Sequence, residues 1–183
     1  IAFSAIQNND KVGLILFSDK VEKFIPPTKG KTHFLRIVRE LIETKPTGKG
    51  TDINVPLKLL ANIMKKRSIT FLLSDFISDS FHDTLRIVSS KHDIIGISCR
   101  DNTEYDFPSM GLVWMKDLES GKMHWVDTSN RAKRNAYGVA QMEQLKKIKE
   151  TFSKNNSDFL ELRTGQKYIT ELKALFKQRG SRR

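Results

Sequence analysis

The chain has 183 residues, of which 38% are apolar and 29% charged, a balance that is typical of a globular protein and excludes wholesale disorder. Its formal net charge of +11 directs attention to acidic partners: nucleic acid, anionic lipid or an acidic protein surface. No apolar run approaches the ~20 residues of a membrane helix, and a lone cysteine argues against a disulfide scaffold and suits the reducing cytoplasm.

Apolar runs predict the strands. Val12–Phe17, Ile69–Leu73 and Ile94–Cys99 are nearly continuous runs, so each predicts a strand covered on both faces, since a one-sided strand would alternate with polar residues. A tight turn leads into Val21–Ile25, which predicts an antiparallel edge strand ended by the two prolines that follow. A last short strand is predicted over Phe159–Leu162.

Helical spacing of apolar residues predicts the remaining elements. The opening residues read as the last turns of a helix that stops near Asn8. Further helices are predicted over about 33–43, over 53–64 with Pro56 in the first turn, and after Ser80. A long helix is predicted over 131–154, with four residues on its buried side: Val139, Leu145, Ile148 and Phe152. A last helix is predicted near the end of the chain, packed through Ile169, Leu172, Leu175 and Phe176.

Strands alternate with helices, which predicts an α/β fold. We expect one sheet, doubly wound and mainly parallel, with helices on both faces and one antiparallel edge strand. Leu112–Met115 and Met123–Val126 flank Glu119-Ser120-Gly121, which predicts an appended β-hairpin. A single domain is expected over residues 1–179, followed by a basic tail at 180–183. Cys99 is expected to be a buried, inert thiol.

The sequence does not match the common motifs of nucleotide-binding, zinc-binding or nucleophilic catalytic sites. The Gly-Lys-Thr at residues 30–32 lacks the earlier glycine of a phosphate loop, because Ile25 stands there. The four histidines show no zinc-ligand spacing, and no Gly-x-Ser-x-Gly elbow is present. These failures predict a protein that is not an enzyme.

Two segments of the sequence contain residues suited to a metal site. Thr51 and Asp52 precede a helix, and Asp75 follows the strand Ile69–Leu73, where ligands of open α/β sheets bind. Hydroxyl and carboxylate oxygens suit Mg²⁺ or Mn²⁺. The same residue types also cap helices and begin turns, and spacing alone ranks capping first.

Four stretches are similar to one family of bacterial proteins. They read N-N-D-K-V-G-L-I-L-F-S-D at 8–19, I-P-P-T-K-G at 25–30, G-T-D-I at 50–53 and R-S-I-T-F-L-L-S-D-F at 67–76. Together they resemble a family of unknown function that carries a von Willebrand factor A-like domain. The resemblance implies a metal-ion-dependent adhesion site for Mg²⁺, or Mn²⁺, in which Thr51 matches the second loop, Asp75 matches the third, and Asp52 is a neighbour.

The first loop of that site, Asp-x-Ser-x-Ser, has no match here and would precede Ile1. The resemblance also implies an unseen first strand between Val12–Phe17 and Ile69–Leu73. We therefore expect the chain to be a fragment lacking that strand, or to close its sheet atypically, because a missing central strand exposes ladder groups on both neighbours. With Thr51 and Asp75 alone as matched ligands, metal binding by this chain should be weak or absent.

Three functions remain, in order. The first is a protein-binding module whose complete site holds Mg²⁺ and captures a carboxylate of an acidic partner; the resemblance implies work with MoxR-type AAA+ ATPases in protein assembly or maturation. The alternative is nucleic-acid binding through residues 131–149 and the tail, which ranks lower because no aromatic stacking platform accompanies the basic residues. A metal-dependent hydrolase using Asp52 and Asp75 ranks last, since no base or nucleophile lies near them in sequence.

Overall fold

The computed structural model describes residues 1–116 and 122–181. They form two compact units: residues 1–63 with 78–81, and the remaining described residues. The elements in chain order are α1 (Ala2–Gln7), β1 (Val12–Phe17), β2 (Val21–Thr28), α2 (Lys31–Glu43), α3 (Asn54–Ile63), β3 (Ile69–Leu73), α4 (His82–Ser89), β4 (Asp93–Arg100), a 3-10 turn (Asn102–Glu104), β5 (Leu112–Lys116), β6 (Met123–Asp127), α5 (Arg131–Lys154), β7 (Asp158–Arg163) and α6 (Tyr168–Gly180).

The first unit is an antiparallel β1–β2 pair with α1, α2 and α3 against β1. The strand β2 was expected to end before the prolines, and this was wrong, because it continues through them to Thr28. The pairing register shifts between Val12 and Leu14, so Pro26 and Pro27 fall at an irregular point of an edge strand, where a missing N–H donor costs little.

The second unit contains a parallel sheet of three strands in the order β3-β4-β7. The central strand, β4, is almost wholly buried, as expected for a strand with neighbours on both sides. Alternate β4 side chains face opposite layers. Ile95 and Ile97 pack with Leu175 of α6, whereas Gly96 faces Phe152 of α5. Helices therefore cover both faces of this sheet.

Sheet membership differs from the expectation. The described strands form three separate sheets, β1-β2, β3-β4-β7 and β5-β6, so the prediction of one sheet was wrong. The prediction that β3 is covered throughout was also wrong, because its end residues Ile69 and Leu73 are each 55% exposed. Within the described chain β3 pairs with β4 alone, and an edge strand has a neighbour on one side only.

Predictions for the hairpin, the long helix and the last helix were partly confirmed and partly wrong. β5 and β6 form the expected antiparallel pair, while the predicted turn at Glu119-Ser120-Gly121 lies outside the described residues. The bounds of α5 agree with the prediction, but Gly138 is buried in it and Val139 is exposed. In α6, Leu175 is buried while Ile169 and Phe176 are exposed.

The predicted basic tail lies only partly within the described chain. Gly180 is the last residue of α6, and residues 182 and 183 lie outside the described ranges. Arg179, a basic residue just before this tail, forms ion pairs with Asp93 and Asp158 at the starts of β4 and β7. None of the described helices combines the length and apolarity that a bilayer crossing requires.

The end of β4 reverses an expectation about Cys99. That residue was predicted to be buried, yet its side chain is exposed. The neighbouring Arg100 is 1% exposed instead. A strand alternates its faces, and Arg100 shares the face of Gly96 and Ser98, which α5 covers. The prediction was wrong because an apolar run does not show which of its faces is covered at its end.

Candidate functional site: the Thr51 and Asp75 loops

The loop before Thr51 is held by a carboxylate of β2. Glu22 accepts hydrogen bonds from the Thr47 amide at 3.0 Å, the Thr47 hydroxyl at 2.7 Å and the Gly48 amide at 2.8 Å. The Ser18 hydroxyl donates to the same carboxylate at 2.6 Å. These donors, with Ser18 the strongest, lower the pKa of Glu22 from its ordinary 4.5 to about 2. Glu22 therefore anchors this loop to β2.

The turn after β1 also contacts this loop. The Asp52 amide donates to the Ser18 carbonyl at 3.0 Å. A side chain at Gly48 would overlap Ser18 and Asp19, so only glycine permits this close approach. The backbone leading to Thr51 and Asp52 is thus defined by β1 and β2 as well as by α3.

Asp52 carries out the capping role that spacing favoured. Its Oδ1 accepts from the Asn54 amide and from the Asn54 side-chain amide, both at 2.9 Å, just before α3. Among the described residues, no hydrogen bond reaches Asp52 Oδ2 or the Thr51 hydroxyl. Both side chains are half-buried. Capping consequently uses one carboxylate oxygen, and it leaves a second oxygen and a hydroxyl without a hydrogen-bond partner among residues 1–116 and 122–181.

Asp75 lies at the carboxyl end of β3 and begins a turn. Its Oδ1 accepts from the Ile77 amide at 3.0 Å and from the Ser74 hydroxyl at 3.3 Å. The Ser74 hydroxyl in turn accepts from the Phe76 amide at 3.0 Å. The Asp75 side chain is exposed. The turn reading of Asp75 is therefore confirmed, and it too engages only one carboxylate oxygen in the described contacts.

Phe76 holds the Asp75 turn in an uncommon conformation. Its φ is +61°, in the left-handed region that a residue with a Cβ seldom adopts, at a cost of about 1–3 kcal/mol. The ring is 2% exposed and lies 5.4 Å from the Phe152 ring and 5.5 Å from the Phe159 ring, centroid to centroid. Burial of this ring offsets the backbone strain and fixes the direction of the turn.

Arg100 supports the same turn from the next strand. Its side chain is fully buried, and it donates to the Asp75 carbonyl at 3.0 Å. It also contacts Glu104 at 3.0 Å, Gln141 at 3.2 Å and Ser98 at 3.3 Å. One guanidinium thus joins β3, the 3-10 turn and α5 behind Asp75.

Sequence reasoning missed Arg100 and Glu22. The available signal for Arg100 was a capping box, Asp101 to Glu104, directly after a buried strand. Hydrogen bonds from Thr164, the strongest, and from Thr103 lower the pKa of Asp101 from 3.8 to about 2. Glu22 carried no such signal, because its partners at 47 and 48 lie in a distant loop.

The candidate residues belong to different units. Thr51 and Asp52 lie in the first unit, and Asp75 lies in the second. Within residues 1–116 and 122–181, no three His, Cys, Asp or Glu side chains form a group placed to hold a metal ion. Each loop is therefore described by its own contacts.

The sequence of this chain matches a known protein family. A family model described as "Protein of unknown function DUF58" matches residues 1–147. The chain belongs to this family. The expected membership in a bacterial family of unknown function is thereby confirmed, and the family description assigns no function.

Relatives of this DUF58 chain are uncharacterized bacterial proteins. One from Mycobacterium tuberculosis is 21% identical over 175 residues, which are 94% of this chain and 55% of that protein. One from Mycobacterium avium is 21% identical over 158 residues, covering 85% of this chain and 93% of that protein. The DUF58 chain thus spans about half the length of the Mycobacterium tuberculosis protein.

A solved structure resembles the DUF58 chain. The conserved hypothetical protein BatB from Bacteroides thetaiotaomicron is 12% identical and aligns with a TM-score of 0.53 over 98% of this chain and 84% of BatB. At this identity the likeness concerns the fold alone.

The hairpin of the DUF58 chain presents aromatic surface that sequence analysis did not find. Trp114 and Trp125 are cross-strand partners with ring centroids 4.8 Å apart, and both are exposed. Nucleic-acid binding was ranked lower because no aromatic stacking platform was found beside the basic residues, and the exposed tryptophan pair weakens that argument. Nucleic-acid binding stays a prediction.

We expect low pH to destabilise the loop before Thr51, because protonation of Glu22 weakens the hydrogen bonds that its carboxylate accepts from this loop. Because the folded pKa lies below the ordinary value, the stabilisation by Glu22 is present above about pH 4.5 and is lost as pH falls toward about 2. We expect E22Q to unfold at a lower temperature than the wild type at pH 6, and the difference in Tm to shrink as pH approaches 2. Melting curves of both proteins from pH 6 to pH 2 measure this difference.

The matched control for E22Q is E43Q. Glu43 is 62% exposed and pairs with Arg39 on the surface of α2. Its substitution should change Tm little at any pH in this range. A Tm difference for E22Q that stays constant from pH 6 to pH 2 would contradict the role assigned to Glu22.

Proposed function

We propose that this chain is a protein-binding module of the von Willebrand factor A type, with a Mg²⁺-dependent adhesion site that captures a carboxylate of a partner protein. The observation that carries the proposal is the Asp75 turn. An exposed carboxylate stands at the carboxyl end of a parallel strand, on a strained backbone that Arg100 and Phe76 support from behind. Strain maintained by surrounding structure is common at functional sites.

The donor chemistry fits a hard cation. Thr51 offers a hydroxyl, and Asp52 and Asp75 each offer a carboxylate whose turn or capping role engages one oxygen. Mg²⁺ prefers such oxygen ligands and retains several waters. Thr51 and Asp75 would be the ligands in this proposal, with Asp52 beside Thr51. The bound ion would supply an open coordination position for a partner's carboxylate.

The partner in this proposal is an acidic protein surface. A net charge of +11 raises the local concentration of acidic partners and speeds their association. The proposed functional partner is a MoxR-type AAA+ ATPase, with which the chain would act in the assembly or maturation of other proteins. This step rests on the family resemblance.

A Mg²⁺ titration tests the metal site. In the full-length protein, Thr51→Ala and Asp75→Ala should each weaken Mg²⁺ binding by about tenfold or more, since each removes one oxygen ligand. Thr51→Ser retains the hydroxyl and should restore most of the affinity. Isothermal titration calorimetry gives the dissociation constants.

Asp106→Ala is the matched control for this titration. Asp106 is an exposed aspartate outside both loops, and its loss should leave Mg²⁺ affinity unchanged. If Thr51→Ala and Asp75→Ala bind Mg²⁺ as the wild type does, the assignment of the site fails.

A further inference from the structure

A cleft of about 370 Å³ lies within the second unit, and Thr51, Asp52 and Asp75 are not among the residues that line it. Three elements form it: the face of α5, the end of β7 and the segment after β4. Its polar lining consists of Tyr105, Lys146, Lys149, Glu161 and Arg163. This volume is in the range of small-molecule sites.

Regular spacing places these side chains together. Glu161 and Arg163 are two residues apart on β7 and therefore share one face of the strand. On α5, Met142, Lys146 and Lys149 lie three or four residues apart and share one helix face.

A glycine sets the distance between α5 and the segment after β4. A Cβ at Gly138 would overlap the Tyr105 carbonyl. The absence of a side chain at Gly138 therefore lets the helix approach this segment closely, and Tyr105 becomes one wall of the cleft.

Glu161 organises the lining. It accepts from Lys149 at 2.9 Å, from Arg163 Nε at 2.9 Å and from the Tyr105 hydroxyl at 3.2 Å. Burial raises the pKa of Glu161, but the bonds from Lys149 and Arg163 together outweigh it, so the net pKa lies below the ordinary value. The carboxylate is therefore ionised and holds both cations in place.

The lining of the cleft carries a net positive charge. Three cations face one carboxylate in this lining, which leaves two uncompensated positive charges. No described residue forms a hydrogen bond or ion pair with the Lys146 ammonium. Arg163 uses its Nε on Glu161, and its guanidinium lies 4.8 Å from the centre of the Tyr105 ring. The two terminal nitrogens of Arg163 have no hydrogen-bond partner in the described part of the chain, and they lie in the fork geometry that suits carboxylate and phosphate.

We infer that this cleft binds a small organic anion. The acidic headgroup, a phosphate or a carboxylate, contacts Lys146 and the terminal nitrogens of Arg163. The apolar body of the ligand lies against Met142 and Leu145, the apolar part of the lining. Neither part of this site involves Thr51, Asp52 or Asp75, so the inference is independent of the proposed adhesion site.

Phenyl phosphate and benzoate serve as probes of the full chain, with inorganic phosphate as the probe that lacks an apolar body. We expect saturable binding of at least one aromatic anion, more tightly than inorganic phosphate, and the stronger of the two identifies the headgroup. Lys146→Met should weaken that binding about tenfold, the value of one charge-assisted hydrogen bond, and Arg163→Gln by at least as much. Calorimetry measures each dissociation constant.

Lys146→Met is the decisive variant, because Lys146 is exposed and forms no hydrogen bond or ion pair with any described residue. Lys147→Met is its matched control: Lys147 is exposed on the same helix outside the cleft lining, and its loss should leave the affinity as in the wild type. The inference is overturned by any of three results: no saturable binding of either aromatic anion, binding no tighter than that of inorganic phosphate, or equal affinity in Lys146→Met and Lys147→Met.

Discussion

Replacing Arg100 by methionine is expected to lower the free energy of unfolding by about 3 kcal/mol. The fully buried guanidinium bonds to the Asp75 carbonyl, Glu104 and Gln141, and its loss leaves these acceptors without their donor. Removing one partner of a buried ion pair costs about 3–5 kcal/mol, and the lower end applies because Glu104 is 31% exposed. Guanidinium chloride unfolding measures the change.

Two further variants separate the charge of Arg100 from its shape. Arg100→Lys keeps the charge but has one nitrogen for acceptors in several directions, so we expect an intermediate loss. Arg86→Met removes an arginine that is 68% exposed and should change stability by at most about 0.5 kcal/mol. A loss below about 1 kcal/mol for Arg100→Met would show that the buried network contributes little.

Phe152→Ala should also destabilise the chain strongly, by about 3–5 kcal/mol. The Phe152 ring has no exposed surface, and it packs edge-on against Phe76 and at 5.2 Å from Phe159. Its removal leaves a cavity beneath the strained Phe76 backbone, so the Asp75 turn should also lose order. Chemical unfolding gives the stability change, and amide exchange at Ile77 reports the turn.

The matched control is Phe176→Ala on α6. Phe176 is 45% exposed and contacts Phe71 at the edge of its ring, so its truncation removes much less buried surface. We expect a markedly smaller loss for this variant than for Phe152→Ala. Equal losses for the two variants would contradict the central place given to Phe152.

Local pattern was sufficient for most elements. The apolar run Val12–Phe17 and the helix 131–154 appear in the structure with the predicted bounds, because strand and helix periods are set by residues near in sequence. Asp52 and Asp75 were identified from residue type and from their positions at a helix start and a strand end. Their capping and turn contacts are local, within two residues, which explains why spacing predicted them.

The supports of the candidate loops depend on distant residues. Glu22 reaches its loop across 25 positions, and Arg100 reaches Asp75 across 25 positions. No periodicity links residues so far apart. The exposure of Cys99 beside the buried Arg100 was missed for the same reason, because strand alternation assigns them to opposite faces without showing which face stays covered at the end of the strand.

The amino-acid sequence was enough to predict the family, the alternation of strands and helices, the parallel character of the central strands and the residue types of the two candidate loops. Three features emerged only from the folded chain: which strands share a sheet, that β3 is an edge strand in the described chain, and that a buried arginine stands behind Asp75. The difference follows from the range of the interactions, because backbone periods and caps act over a few residues, whereas sheet pairing and buried charge depend on contacts between distant segments.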